Sequence, residues 1–361
     1  MNTTPCAPPR CLLILPRGFY GFASVLTRGL AALGFETTVA NDEYPESLFG
    51  KVISKLGLRL SQAITRRQLN RHVLSGQHYD LILVIKGRGL DAATAASLRQ
   101  YGRSVVGYHF DSFGFDRGPA RWVGSLPRVC TFDYRDAQAH GLPVVELFSS
   151  MPTATASNSP RRYTVSAVLR NHSQRLVYLD QVLAALGGLG VPGGLARADA
   201  FIYIYEANAM TFLANFMRHP RLYLKYRRFI SRRALPYDQY VAAIAGSAFT
   251  IDYAHPKQTG ITIRCFEALS AGTRIITNNP SVLTSRLFSA DNALVFNPSS
   301  SDGSQADGAA LRQQLAARAG HQPAARRRTV DDFLRELIGP ADLAKLALPV
   351  ATAPQPSHTT P

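Results

Sequence analysis

The chain reads as an α/β protein built from two doubly wound halves. Strands rich in β-branched residues alternate with amphipathic helices. A stretch of Pro, Ser, Thr and Ala interrupts that alternation near the middle, and the alternation then restarts. At 361 residues the chain exceeds one typical core and suits two domains of roughly 150 residues each.

In the first half a short apolar strand is predicted over 11–15, then a loop over 16–21 and a helix over 23–33 that Gly34 ends. Further strands are predicted over 36–40, 81–85, 104–108, 129–132 and 144–147, and helices over 48–74 and 92–101. The run 81–85 is continuously apolar, as a strand covered on both faces should be. Segment 48–74 puts Phe49, Val52, Ile53, Leu56, Leu60 and Ile64 on one stripe. The first domain is therefore expected over 1–150 and the linker over 151–162.

Beyond the linker the expected order is strand 164–169, helix 175–186, strand 201–205, a basic helical region 209–233 and helix 237–245. Strand 248–253, helix 260–271 and strands 274–277 and 293–296 follow. A helical pair over 308–319 and 329–338 closes a second domain placed at 163–340. Residues 341–361 are expected to form a disordered tail.

With 46% hydrophobic and 18% charged residues the chain is globular. Its four cysteines, at 6, 11, 130 and 265, form neither a CxxC pair nor a cluster of zinc spacing. A reduced protein without structural metal is expected. The apolar runs are short for a membrane span, and the apolar stretch after Arg10 is short for a signal peptide. The cytosol, with a peripheral position on the inner face of the plasma membrane, is the expected location.

The formal net charge of +16 calls for an anionic partner. No acid lies between Glu46 and Asp80, where Lys51, Lys55, Arg59, Arg66, Arg67 and Arg71 fall. None lies between Glu206 and Asp238, where Arg218, Arg221, Lys225, Arg227, Arg228, Arg232 and Arg233 accumulate. In the second segment Phe212, Leu213, Phe216, Leu222, Leu224 and Phe229 interleave with the cations, as in a helix lying on anionic lipid. Residues 49–72 and 212–233 are thus expected to meet an anionic membrane surface. No helix-turn-helix, RNA-recognition strand or zinc finger is present in the sequence, so nucleic acid is not the expected partner.

The most informative stretch is HPKQTGITIRCFEALSAGTRIIT, residues 255–277. It reads as a small-residue loop, a short helix, a glycine stop at Gly272 and a β-branched strand. Arg264 and Glu267 lie three apart and share a helix face. Gly260 sits where the helix is expected to begin, leaving amides open to an anionic group. Gln258 and Thr259 complete that loop. Arg264 is suited to phosphate, and Glu267 to ribose hydroxyls through charge-assisted hydrogen bonds. Asn278, just past the strand, suits either a turn or a ligand contact.

The loop Arg170-Asn171-His172-Ser173-Gln174-Arg175 follows a parallel strand, at the edge where open α/β sheets bind ligands. There Ser173 is expected to cap the next helix, and Arg170 and Arg175 to neutralise an anion. In the first half His109 and Asp111 alternate with Phe110, so both can face one side. Asp111 is the first candidate to take a proton from an acceptor, with His109 in reserve. A cap or structural hydrogen bond is the alternative for Asp111. Asp133 and Asp136 are read as turn and cap residues. Arg17, Gly18 and Gly21 are expected to border a cleft through the first loop, which lacks the spacing of a dinucleotide fingerprint.

Three segments carry a family resemblance. Residues 255–278 are similar to the block HPxQxGLTMRxxEALGAGKKLITTN of bacterial surface-polysaccharide (lipopolysaccharide and capsule) glycosyltransferases. Residues 131–142, TFDYRDAQAHGL, resemble the FDxxDAxxYGL element of that group and of spore-maturation-type glycosyltransferases. Residues 108–112, YHFDS, resemble its YLWDS strand end. The match runs in order through most of residues 10–300. It implies a GT-B fold, two Rossmann-like domains facing across a cleft, and transfer of a sugar from a nucleotide-sugar donor to a glycan or lipid-linked acceptor. The resemblance implies no cofactor beyond that donor and no metal. Many relatives of this fold carry a second glutamate eight residues before the one matching Glu267; here that position is Thr259. A nucleotide-sugar epimerase of the same architecture and a non-catalytic basic binding protein are the competing readings.

Overall fold

In a computed structural model the described residues are 7–16, 20–44, 59–151, 161–190, 194–298, 304–318 and 321–346. They divide into two α/β units, one drawn from Met1–Glu146 and Thr329–Pro361, the other from Leu147–Arg328.

The first unit runs β1 (Arg10–Leu15), α1 (Tyr20–Ala32), β2 (Glu36–Asn41), α2 (Arg59–Leu69), β3 (Tyr79–Ile85), α3 (Ala92–Ser97), β4 (Gly102–His109), β5 (Arg128–Thr131) and α4 (Tyr134–His140). All its strands pair in parallel, in the order β2-β1-β3-β4-β5. Helices joining parallel strands cover both faces, which is why the middle strands are apolar throughout. Cys11 to Leu15 and Leu81 to Ile85 are all buried. Asp91 caps α3 through Thr94 N, 2.7 Å, and Asp133 caps α4 through Arg135 N and Asp136 N. Asp136 Oδ2 accepts the Phe113 amide at 2.7 Å, so this acid pair serves as turn and cap.

The second unit runs β6 (Tyr163–Arg170), α5 (Arg175–Ala185), β7 (Ala200–Tyr205), α6 (Ala209–Arg218), α7 (Pro220–Tyr226), β8 (Ile230–Ser231), α8 (Tyr237–Ala245) and β9 (Ser247–Asp252). Then come α9 (Ile263–Ser270), β10 (Arg274–Thr277), β11 (Ala293–Val295) and α10 (Ser304–Arg318). Its strands are also parallel, ordered β11-β10-β9-β6-β7-β8. Read from β8, that is the doubly wound order in which the chain reverses direction between β6 and β9.

The last helices depart from expectation. α11 (Val330–Ile338) belongs to the first unit, not the second. Its apolar face explains why: Phe333, Leu334, Leu337 and Ile338 are buried, and the Phe333 ring meets Tyr108 edge-on at 5.0 Å. Gly29 on α1 lets α11 approach closely, since a Cβ there would lie 2.8 Å from Leu334. Residues 340–345, assigned to the domain end and the tail, form α12 (Pro340–Lys345), held by buried Leu343 and Leu346. The strand expected over 144–147 reduces to a single bridge between Thr131 and Val144. The basic helical region 209–233 is two helices, a 3-10 turn over Arg227–Phe229 and a two-residue strand. Of the 48–74 helix, 59–69 is α-helical and Asn70–Leu74 is π-helical, while 45–58 lies outside the described residues. So do linker residues 152–160 and tail residues 347–361.

Trp122 organises the first core. Its indole Nε1 donates to Gly87 O at 2.8 Å, and a Cβ at Gly107 would lie 2.5 Å from its ring. The His109 ring packs on Trp122 at 4.6 Å and on Phe113 at 4.7 Å, and neither ring nitrogen is hydrogen-bonded among the described residues. Burial pulls its pKa down to about 3. The unfolded chain takes up a proton at His109 below about pH 6.5, which the folded chain refuses until about pH 3. Stability is therefore lost as pH falls through that window. Replacing His109→Phe is expected to remove a slope of up to ~1.4 kcal/mol per pH unit between wild type and variant. Urea unfolding at a series of pH values measures it; parallel curves would contradict this.

Candidate anion site at the carboxyl edge of the second sheet

Open parallel sheets bind ligands beyond the carboxyl ends of their strands, where the winding reverses. In the second unit that place lies between β6 and β9. The loop 170–175 leaves β6 there and the loop 253–262 leaves β9.

Asp252, the last residue of β9, is the anchor, only 1% exposed. It accepts from Thr262 Oγ1 at 2.8 Å, Arg264 Nη1 at 3.2 Å, Thr277 Oγ1 at 3.4 Å and Cys265 Sγ at 3.5 Å. One carboxylate thus ties β9, the start of α9 and the end of β10 together. Donors on both oxygens are what allow a charge to be held in so dry a place. Arg264 therefore pairs with Asp252, and not with Glu267 one turn along.

Arg175 opens α5. Among the described residues its buried Nε has no hydrogen-bond partner, and neither has the Nε of Arg264. Burial and the Arg264 charge depress Arg175 to about 10, against the pull of Asp252. Arg264 goes the other way: burial opposes its charge, but Tyr240, Asp252 and Glu267 more than offset that and raise it. The carboxylates belong to Arg264, and Arg175 is the surplus cation. His172 stands at the rim, where the surrounding protein displaces water from its ring. That effect and the charges of Arg175, Arg170, His255 and Arg264 hold it down to about 4. A neutral imidazole among cations marks a strongly positive locality.

Both nearby helices begin without a side-chain cap. Ser173 does not cap α5; its backbone is left-handed, with φ 58°, and its hydroxyl lies 3.2 Å from His172 Nδ1. Thr262 spends its hydroxyl on Asp252 instead of capping α9. Neither N-cap side chain bonds the first amides of α5 or α9, although Arg175 N and Cys265 N reach the backbone carbonyls of His172, at 3.5 Å, and Thr262, at 3.1 Å. Such an arrangement can bind a polyanion.

Glu267 lies at the other end of this face. It is buried and accepts from the Tyr240 hydroxyl of α8 through Oε2, while Oε1 receives no hydrogen bond among the described residues. Burial raises its pKa, opposed by the Tyr240 bond and the Arg264 charge. Gly260 is buried, but α9 begins at Ile263, three residues later than expected. The loop is shaped by Asn279, whose Nδ2 donates to Thr259 O at 3.1 Å and Gly260 O at 3.0 Å. The Gln258 amide closes a turn on His255 O at 2.8 Å. Asn278 is a clip: its Oδ1 accepts Ala254 N at 2.8 Å and its Nδ2 donates to Ala254 O at 3.0 Å. Arg170 is exposed at the end of β6, and its carbonyl lies 3.5 Å from Arg175 Nη1.

In the first unit the expected pair separates. His109 turns into the core against Trp122, whereas Asp111, beyond the strand end, pairs with Lys86 Nζ at 2.5 Å. Lys86 takes a left-handed backbone, φ 69°, just past β3. A ring with both nitrogens shut off from partners, and a pKa near 3, does not suit His109 to a proton-accepting role. Gly21 is the second residue of α1 rather than a loop residue, and Arg17 and Gly18 lie outside the described residues. Asp252 and Tyr240 escaped the sequence reading. Asp252 had a signal: it is the one acid between Asp238 and Glu267, at a predicted strand's carboxyl end. Among the described residues no group of three or more His, Cys, Asp and Glu could hold a metal ion.

Residues 211–338 match a family described as glycosyl transferase-like. No curated protein matches the chain in sequence. Among solved structures, sucrose-phosphate synthase from Thermosynechococcus elongatus aligns at 12% identity and TM-score 0.55, covering 94% of this chain and 96% of that one. Anabaena HepE in complex with UDP and glucose aligns at 11% identity and TM-score 0.51, covering 94% and 98%. WaaG, described as a glycosyltransferase involved in lipopolysaccharide biosynthesis, aligns at 12% identity and TM-score 0.50, covering 86% and 92%. The fold is GT-B: two parallel-sheet α/β units.

Asp252→Asn keeps the shape but removes the charge that Arg264 and Arg175 share. It is expected to cost about 3 kcal/mol in urea unfolding, with Thr277→Val costing about 1 kcal/mol. A neutral Asp252→Asn would remove Asp252 from the centre of the site.

Proposed function

We propose that this chain is a glycosyltransferase that moves a sugar from a nucleotide-sugar donor to a glycan or lipid-linked acceptor in cell-surface glycan synthesis. The observation that carries the reading is the surplus cation: Asp252 and Glu267 both act on Arg264, and Arg175, at the switch point of the second sheet, forms no ion pair among the described residues. A nucleoside diphosphate supplies the missing negative charge. The family match over 211–338 includes Arg264 and Glu267, and the GT-B fold agrees with it.

In this reading Arg175, Arg264 and Arg170 receive the diphosphate, with the uncapped amides of α5 and α9. Negative charge grows on that group as the sugar departs, so cations fixed beforehand stabilise the transition state more than the ground state. Glu267 Oε1 accepts ribose hydroxyls, while Tyr240 holds the other oxygen in place. The loop 258–260, fixed by Asn279, borders the sugar. In the first unit Asp111, beside Lys86, is the group proposed to take the acceptor hydroxyl's proton. No metal or further cofactor takes part in this scheme. The acid-free segments 49–72 and 212–233 bring the enzyme to the anionic inner face of a membrane, where each near-surface cation contributes about 1 kcal/mol.

Thermal unfolding with a panel of nucleoside diphosphates and their sugars tests the reading. A ligand at a hundred times its Kd is expected to stabilise the protein by about 2.7 kcal/mol. Glu267→Ala should lose that response to nucleotides while keeping any response to pyrophosphate. A panel with no stabilising member would contradict donor binding. Turnover of the donor to an epimer without any acceptor would favour the epimerase instead.

A further inference from the structure

The hairpin of α6 and α7 has two apolar faces. Phe212 and Phe216 stack at 6.3 Å and pack inward on the second core. Met210, Leu213 and Met217 fall at i, i+3 and i+7, on one face of the helix. Among the described residues nothing covers that face: Met210 is 84% and Met217 71% exposed, and no residue of α6 is buried. A helix apolar on both sides, with one side bare, is built to meet something else.

Between this hairpin and β8 lies a cavity of about 410 Å³, within the size range of small-molecule sites. Phe212, Phe216, Leu224 and Ile230 line it, and Arg227 and Arg232 stand among them. Neither arginine forms an ion pair with a carboxylate among the described residues, whereas nearby Lys225 pairs with Asp180. The floor is closed: Tyr223 donates its hydroxyl to Glu206, which also accepts Asn171 Nδ2 at 2.7 Å. An apolar cleft with two unpaired guanidinium groups complements a chain with an anionic head.

Resting on the membrane-docking part of the proposed function, we infer that this cavity seats one acyl chain of an anionic membrane lipid. Arg227 and Arg232 take the headgroup phosphate. Met210, Leu213, Met217 and Leu224 enter the surrounding acyl boundary. Docking is thus a seated lipid and not only attraction of charges.

The test uses the full chain and dihexanoyl phosphatidylglycerol below its micelle concentration. A saturable Tm rise of about 2–4 °C is expected, with none from glycerol phosphate or dihexanoyl phosphatidylcholine. Ala209→Trp, at the exposed mouth of the cavity, should abolish the rise while a nucleoside diphosphate still stabilises the variant. On vesicles rich in phosphatidylglycerol, wild-type binding should persist in part at high salt and that of Ala209→Trp should not. An equal rise in the variant, or with the headgroup alone, overturns the cavity assignment. Binding that high salt removes fully from both proteins overturns the seated chain but leaves docking by charge. Absence of vesicle binding even at low salt overturns the membrane reading, and this inference with it.

Discussion

A single carboxylate with almost no exposure to water sets the architecture of the second unit's carboxyl edge. Asp252 cannot turn to solvent, so the groups that neutralise it must come to it: a hydroxyl and a guanidinium from α9, a thiol beside them and a hydroxyl from β10. Those four donors fix where α9 begins and how it leans on the sheet. They also leave Arg175 without a carboxylate of its own. The site is therefore unbalanced: both oxygens of its anchoring carboxylate are bonded, while Arg175 has no ion pair among the described residues and two uncapped helix starts lie beside it. Rigid donors aimed at a place where charge will arrive are what binding and transfer of a diphosphate-linked group both need.

Much of the fold was legible because its signals are local. Alternating apolar strands and helices and glycine stops pointed to two parallel sheets, and Asp133 caps α4, as the reading of 133 and 136 as turn and cap residues expects. What was not legible depends on distant partners. Whether α11 closes the second unit or the first is decided by Gly29, Tyr108 and Phe333, which are far apart in sequence. The 144–147 segment is apolar enough for a strand, yet it finds only one bridge at Thr131.

The candidate site shows the same division. Arg264 and Glu267 were apparent from helical spacing, which puts them on one face but does not say what each one meets. Tertiary contacts give Arg264 to Asp252 and Glu267 to Tyr240. Strand alternation placed His109 beside Asp111. The strand ends at His109, so alternation no longer governs Asp111, and the two side chains part company. Ser173 looked like a cap by residue type; a left-handed backbone at that position removes the geometry a cap requires.

The central claim is that Arg175 is an unpaid charge kept for a ligand, and its removal tests this most directly. Arg175→Met keeps the aliphatic stem and deletes the guanidinium. The account expects the ligand-free variant to unfold at higher urea than wild type, by about 1 kcal/mol, and to lose its stabilisation by nucleoside diphosphates. A variant that is less stable without ligand, yet still responds to diphosphate as wild type does, would contradict it.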